Sequence, residues 1–166
     1  MTNYILPHFG QVDADSLEEY TDVEIEFKGE EVRIDLNFEN TRIDTKRLDV
    51  VRRFIENLDK LDKQNKVYID QDFNDEDCDT VKSYLEHHID EIPPEDLDQL
   101  IDSNDTTQER ILRLKDKLHL VRVGLYPDSE DRFAIFDYSI GREITQYLVV
   151  INTDQNGELD YMTMES

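Results

Sequence analysis

The chain has 166 residues, of which 41 are acidic and 18 basic, so its formal net charge at pH 7 is −23. This charge excludes strong binding to nucleic-acid backbones, whose non-specific affinity comes from Lys and Arg, and it disfavours anionic membrane surfaces. Apolar residues make up only 37% of the chain, but they recur at regular spacings, which favours a folded protein over disorder.

The start of the chain and its single cysteine indicate where the protein resides. MTNYILPHFGQ lacks both the basic region and the apolar stretch of a signal peptide. No apolar run approaches the ~18 residues of a membrane helix. Cys78 is alone, which excludes a disulfide framework and a cysteine metal site. We therefore expect a cytoplasmic protein without a membrane segment.

Apolar and polar residues alternate from Glu19 to Phe38, with Lys28-Gly29 in the middle. Alternation on both sides of a glycine-containing turn predicts an antiparallel hairpin with one solvated face.

The spacing between apolar residues becomes three and four from Leu48 to Leu61, which predicts an amphipathic helix with Asp44 as its N-cap. KVYID, Lys66–Asp70, fits either a short strand or a helix, and we predict a helix.

Three further helices are predicted between Asn74 and Lys115. Asn74 is a suitable N-cap for the first, whose apolar stripe includes His88. Pro94 suits the first turn of a short second helix. The spacing of Thr106 and Glu109 is that of a capping box, which predicts the start of the third.

Four strands are predicted in the last fifty residues, separated by turn sequences. They are Leu118–Tyr126, Arg132–Tyr138, Gln146–Ile151 and Glu158–Met164. The fold class is therefore α+β, in a single domain of residues 1–166. We expect a mainly antiparallel sheet of about six strands, two N-terminal and four C-terminal, with the central helical block packed on one face.

The segment NTDQNGELDYMT, Asn152–Thr163, resembles a calcium-binding EF-hand loop, with oxygen-bearing residues at loop positions 1, 3, 5 and 9. However, an EF-hand needs a helix on each side and a Glu at position 12, where this chain has Thr163. The flanking sequences are typical of strands. We therefore predict a hairpin turn in which Asn156-Gly157 supply the positive φ angles, and no metal site.

No other motif predicts a cofactor, a metal or a catalytic nucleophile. His87 and His88 are adjacent, so on a helix they point about 100° apart and cannot share a metal from one stripe. We expect His88 to be a buried histidine with its hydrogen bonds satisfied.

Two features remain as candidate binding sites, and each also has a structural interpretation: a satisfied buried carboxylate for the first and a solvated surface for the second. In FDYSIGRE, Asp137 interrupts an apolar strand next to Tyr138, and a buried carboxylate there needs partners. We expect Arg142 or backbone N–H groups of the turn to supply them. The second feature is Asp70–Asp105, which holds 14 acidic residues against one lysine. Asp96 and Asp98 lie on either side of Leu97, which we expect to be buried.

The C-terminal sequence also carries a resemblance. Asp137-Tyr138, Gly141-Arg142, the YLVV strand, the Asn156-Gly157 turn and the terminal MES resemble a bacterial, Bacteroidetes-type family of small acidic α+β proteins that is catalogued as a domain of unknown function. The resemblance implies a compact α+β fold in a bacterial cytoplasm and favours a helix for KVYID. It implies no reaction, cofactor or catalytic residue.

Two functions of different classes follow from these residues. The first is a non-enzymatic binding or inhibitory protein that acts on a basic protein partner, with the acidic segment as the docking face. The alternative is a small hydrolase or transferase that uses a buried Asp137 with Tyr138 and Arg142. The acidic charge and the absence of catalytic motifs favour the first.

Overall fold

The computed structural model describes residues 1–97, 101 and 104–166. The strands in this part are β1 Asn3–Leu6, β2 Gly10–Asp13, β3 Tyr20–Phe27, β4 Glu30–Asn37, β5 His119–Leu125, β6 Ala134–Ser139, β7 Leu148–Thr153 and β8 Leu159–Glu165. The helices are α1 Thr45–Glu56, α2 Leu58–Asn74, α3 Thr80–Glu91, α4 Pro94–Leu97 and α5 Thr107–Asp116. The fold is α+β, as predicted.

The main sheet has six strands in the order β3-β4-β5-β6-β7-β8. It therefore joins the predicted N-terminal hairpin to the four predicted C-terminal strands. Every neighbouring pair is antiparallel except β4 and β5, which run parallel. The helices lie between these two strands in the chain, and such a long crossover is what a parallel pair requires.

The first two strands, which the sequence analysis missed, form a separate two-stranded sheet. Each has only four residues, and their sequences, NYIL and GQVD, do not alternate polar and apolar residues, so the period-two signal is absent. His8 adopts a positive φ of 68° in the turn that joins them. The Tyr4 hydroxyl donates to Asp49 of α1, which ties this hairpin to the helical layer.

The helices pack on one face of the main sheet. On that face, the ring of Phe54 from α1 lies 5.0 Å from Phe133 and 5.8 Å from Phe136, between ring centroids. The opposite face is open. There β3 presents Asp22, Glu24 and Glu26, all exposed. The predicted antiparallel β3–β4 hairpin is confirmed, but its second face is not solvated throughout, because Asp35 is fully buried there.

The helix predicted across Leu48–Leu61 is broken at Asn57, so α1 and α2 are separate helices. Asn57 leaves helical geometry, with ψ at 18°, and its side-chain amide donates to the Arg53 carbonyl at 2.7 Å. The Arg53 carbonyl at the end of α1 therefore accepts from both the backbone N–H and the side chain of Asn57. KVYID lies inside α2, which confirms the helix prediction for this segment.

Four helix starts were predicted, and three are confirmed. Asp44 is the N-cap of α1, and its side chain accepts the Lys46 N–H at 2.9 Å. Pro94 begins α4, and Thr106 with Glu109 forms the reciprocal capping box of α5. Asn74 instead ends α2, and α3 begins at Thr80, because Asp72 of α2 accepts the Val81 N–H and fixes the new helix there. Among the described residues, no helix is both long and apolar enough to cross a lipid bilayer.

Candidate functional site

Asp137 is buried on the open face of the sheet, next to Arg122 of β5. Its Oδ2 accepts a hydrogen bond from Arg122 Nη1 at 3.3 Å. The same guanidinium also binds Asp35 of β4 through two bonds, from Nε at 2.7 Å and from Nη2 at 3.1 Å. The side chain of Arg122 therefore links three neighbouring strands, and the expectation that Arg142 or the turn supplies the partner of Asp137 is wrong.

The two carboxylates of this cluster are held differently. Asp35 is fully buried and also accepts a bond from the Asn37 amide at 2.7 Å. Asp137 has the single longer bond, and burial raises the pKa of its carboxyl above the ordinary value, although Arg122 acts in the opposite direction. Asp35 is therefore the main counter-ion of Arg122.

Tyr138 lies on the opposite face of β6 from Asp137, because successive residues of a strand point to opposite faces. Its hydroxyl donates to Asp62 of α2 at 2.7 Å, beneath the helices. The other carboxylate oxygen of Asp62 accepts from Lys28 Nζ at 2.8 Å. Burial and the Asp62 carboxylate raise the pKa of Tyr138 well above its ordinary value, so it remains a neutral donor.

Arg142 lies in the loop after β6 and is exposed. Its Nη2 donates to the Val121 carbonyl at 2.5 Å. Val121 is the extra residue of a bulge in β5, where the pairing with β6 shifts register, so its carbonyl is available to a side chain. Asp137, Tyr138 and Arg142 therefore occupy three different surroundings and do not converge on one substrate position.

The acidic segment forms an exposed surface on the α2–α3 connection, α3 and α4. Nine carboxylate residues between Asp75 and Asp96 are exposed, and none of them ion-pairs with another described residue. Of the described acidic residues in the longer segment, only Asp70 and Asp105 form ion pairs, with Lys115 and Arg113 respectively. Asp96 is exposed beside a buried Leu97, as expected. Asp98 lies outside the described residues.

His88 is buried and satisfied, as predicted. Its Nδ1 lies 2.6 Å from the Tyr84 carbonyl, and its Nε2 lies 2.8 Å from the Thr145 hydroxyl. A carbonyl can only accept, so Nδ1 carries the proton and Nε2 accepts from Thr145. Burial lowers the pKa of His88. The histidine therefore joins α3 to the loop before β7 in its neutral form.

The segment that resembles an EF-hand is a turn between two strands, β7 and β8, as predicted. Asp154 Oδ1 accepts the backbone N–H groups of Asn156 at 2.8 Å and Glu158 at 3.0 Å. Gly157 supplies a positive φ of 80°, but the prediction that Asn156 does so too is wrong, because its φ is not positive. The carboxylate is directed at its own backbone, so its role is to shape the turn.

The sequence patterns did not identify three residues that bond to the candidate site or to its partners: Arg122, Asp35 and Asp62. Asp35 is one of several polar residues in an alternating strand, and nothing local marks it as buried. Arg122 is the one charged residue within LHLVRVGLY, and that was an available signal of a paired cation. Asp62 is an acidic residue in a helix rich in charge, and only its tertiary contacts distinguish it.

Comparison with known proteins returned no match: no protein family, no curated protein and no solved structure is similar to this chain. The resemblance to a bacterial family stays a prediction, and function has to be argued from the residues.

Proposed function

We propose that this chain is a non-enzymatic, cytoplasmic bacterial binding protein that docks on a basic protein partner through the acidic surface of residues 75–96. The observation that supports it is the set of nine exposed carboxylates without ion-pair partners in the described chain. Like charges held together on a surface repel one another and reduce stability. A cationic partner relieves that repulsion on binding.

The surface is held in place by the packing beneath it. Val81, Tyr84 and Leu85 of α3 are buried, so Glu86 and Asp90 project outward from a fixed helix. Leu97 anchors the end of α4 in the same way. A preorganised array of charges steers a cationic partner into encounter and loses less conformational entropy on binding than a flexible segment does.

The enzymatic alternative has weaker support. Its supporting observation is the raised pKa of the buried Asp137 carboxyl. Arg122 binds that carboxyl, and Tyr138 points to the other side of the sheet. A hydrolase or transferase would have to use Asp137 with Arg122 on the open face, without Tyr138 or Arg142.

The test measures association with a partner isolated by affinity capture on the intact chain and identified by mass spectrometry. The triple variant Glu86→Lys, Asp90→Lys, Asp96→Lys is expected to slow association on the order of tenfold at low ionic strength and to flatten the dependence of the rate on salt. The matched control replaces the three exposed acidic residues of β3 by lysine, which reverses the same number of charges: Asp22, Glu24 and Glu26.

Equal slowing by the two triple variants shows that only the overall net charge matters, and it contradicts a docking surface at residues 75–96. A captured partner that is itself acidic, or association rates that no variant changes, contradicts the proposal as well. A melting temperature for each variant verifies that the reversals leave the fold intact.

A further inference from the structure

A cleft of about 420 Å³ lies between the α1–α2 break and the β7–β8 turn. Arg53, Asn57, Lys60 and Gln64 line it from the helices, and Asn156 lines it from the turn. Its apolar lining comes from Val50, from Phe54, which is buried, and from Leu61, which is half-buried. The volume falls in the range of sites for small molecules.

The charge of this cleft is opposite to that of the chain. Among the described residues that line it, Arg53 and Lys60 are charged and none is acidic, although the net charge of the protein is −23. Arg53 and Lys60 ion-pair with no described residue. Their neighbours Arg52 and Lys63 do pair, with Glu56 and Asp59, one helical turn away.

The turn side of the cleft is fixed before any ligand binds. Asp154 holds the turn through two backbone bonds, and the Gly157 carbonyl accepts from the Tyr68 hydroxyl at 2.9 Å. The Gln155 side-chain oxygen accepts from Arg47 at 2.6 Å, which leaves the Gln155 NH₂ group available as a donor. Gly157 has a positive φ of 80°, which favours glycine, and a β-carbon there would stand 2.6 Å from Leu61 Cδ2, so the turn lies close to α2.

We propose that this cleft binds a small organic anion, a carboxylate or phosphate carried on an apolar body. The guanidinium of Arg53 and the ammonium of Lys60 are donors without a counter-ion, and arginine matches the paired oxygens of a carboxylate or phosphate. The amides of Asn57, Gln64 and Gln155 add neutral donors. The apolar wall of Phe54 and Leu61 takes the body of the ligand. This site is separate from the acidic surface of residues 75–96.

The test is an NMR titration of the ¹⁵N-labelled full chain at low ionic strength with benzoate and with phenyl phosphate. We expect saturable shifts in the amide signals of Asn57, Asn156 and Gly157 with at least one probe, and the tighter probe identifies the anion. The variant Arg53→Gln, Lys60→Gln is expected to weaken binding by about tenfold, because it removes two charge-assisted hydrogen bonds. Both side chains are exposed, so the variant is expected to fold.

The matched control, Arg52→Gln with Lys63→Gln, removes the same charge from the same two helices outside the cleft and is expected to leave affinity within about twofold. Equal weakening by the two double variants overturns the proposal, because attraction is then diffuse. Absence of saturable shifts with both probes also overturns it. So does inorganic phosphate binding as tightly as phenyl phosphate, because the apolar wall then contributes nothing.

Discussion

The guanidinium of Arg122 lies over Gly124, two residues further along the same strand, so closely that a β-carbon on Gly124 would stand 2.6 Å from Nη2. The missing side chain lets the guanidinium lie against the sheet. From there it reaches Asp35 on one neighbouring strand and Asp137 on the other. The glycine is thus part of the ionic link across β4, β5 and β6.

Replacement of Gly124 by alanine is expected to destabilise the protein by about 2–4 kcal/mol. The new methyl group displaces the guanidinium and leaves the buried Asp35 carboxylate without its main partner. Alanine loses less backbone entropy than glycine in a strand, so the backbone itself does not explain a loss. Urea unfolding measures the loss of stability. In an Arg122→Met background the same change is expected to cost less than about 1 kcal/mol, and an equal loss in both backgrounds contradicts the role given to the glycine.

Asp35→Asn and Asp137→Asn are expected to differ in cost although both carboxylates contact Arg122. Asp35→Asn removes the fully buried, doubly bonded counter-ion and is expected to cost about 3 kcal/mol at pH 7. Asp137→Asn is expected to cost less than about 1 kcal/mol, because burial already disfavours that ionised carboxyl. Equal losses at pH 7 in chemical denaturation would show that Arg122 is held equally by both residues.

The Asp137 carboxyl also predicts a dependence on pH. Its folded pKa is above the unfolded value of 3.8, so the folded state binds the proton more tightly than the unfolded state does. The stabilisation from that proton is present below pH 3.8 and is lost as the pH rises through the folded pKa. Relative to Asp137→Asn, the wild type is therefore expected to become less stable from pH 4 to pH 7, as measured by urea midpoints. A constant difference contradicts this.

His88 gives a pH dependence of the opposite sign. Its folded pKa is below the unfolded value of 6.5, so the unfolded state takes up the proton first. The stability is complete above pH 6.5 and declines as the pH falls toward the folded pKa, by at most about 1.4 kcal/mol per pH unit. His88→Asn, which keeps a donor for the Tyr84 carbonyl, is expected to lack this decline. His87→Gln, at the neighbouring histidine, is the control and is expected to retain it.

Asp154→Ala is expected to destabilise the protein by about 1 kcal/mol, because it removes the acceptor for two backbone N–H groups in the β7–β8 turn. Addition of calcium is expected to change neither the wild-type melting temperature nor the loss caused by the substitution. Calorimetric titration with calcium checks the same point directly. A sub-millimolar site that Asp154→Ala abolishes would show that the carboxylate is a ligand and that the turn assignment is incomplete.

The sequence patterns predicted the helices and strands that are determined by residues close together in the chain. Alternation across residues 19–38 was enough for the β3–β4 hairpin, and the spacing of Thr106 and Glu109 was enough for the start of α5. The contacts of the candidate site depend on residues far apart in the chain. Tyr138 bonds to Asp62, 76 positions earlier, and Asp137 bonds to Arg122 only because β5 and β6 pair in one register. Alternation identifies a face of a strand but not what lies across from it.

The parallel β4–β5 pair divides the main sheet into two parts that the chain builds separately. Residues 20–37 form one hairpin and residues 119–165 form one meander, and each is paired through neighbouring strands only. The seam between them closes a loop that contains every helix. Closing so long a loop costs entropy before the contacts across it form. The β4–β5 pairing is therefore the part of the sheet with the largest sequence separation, and Arg122, which bonds to Asp35 across it, links the two parts.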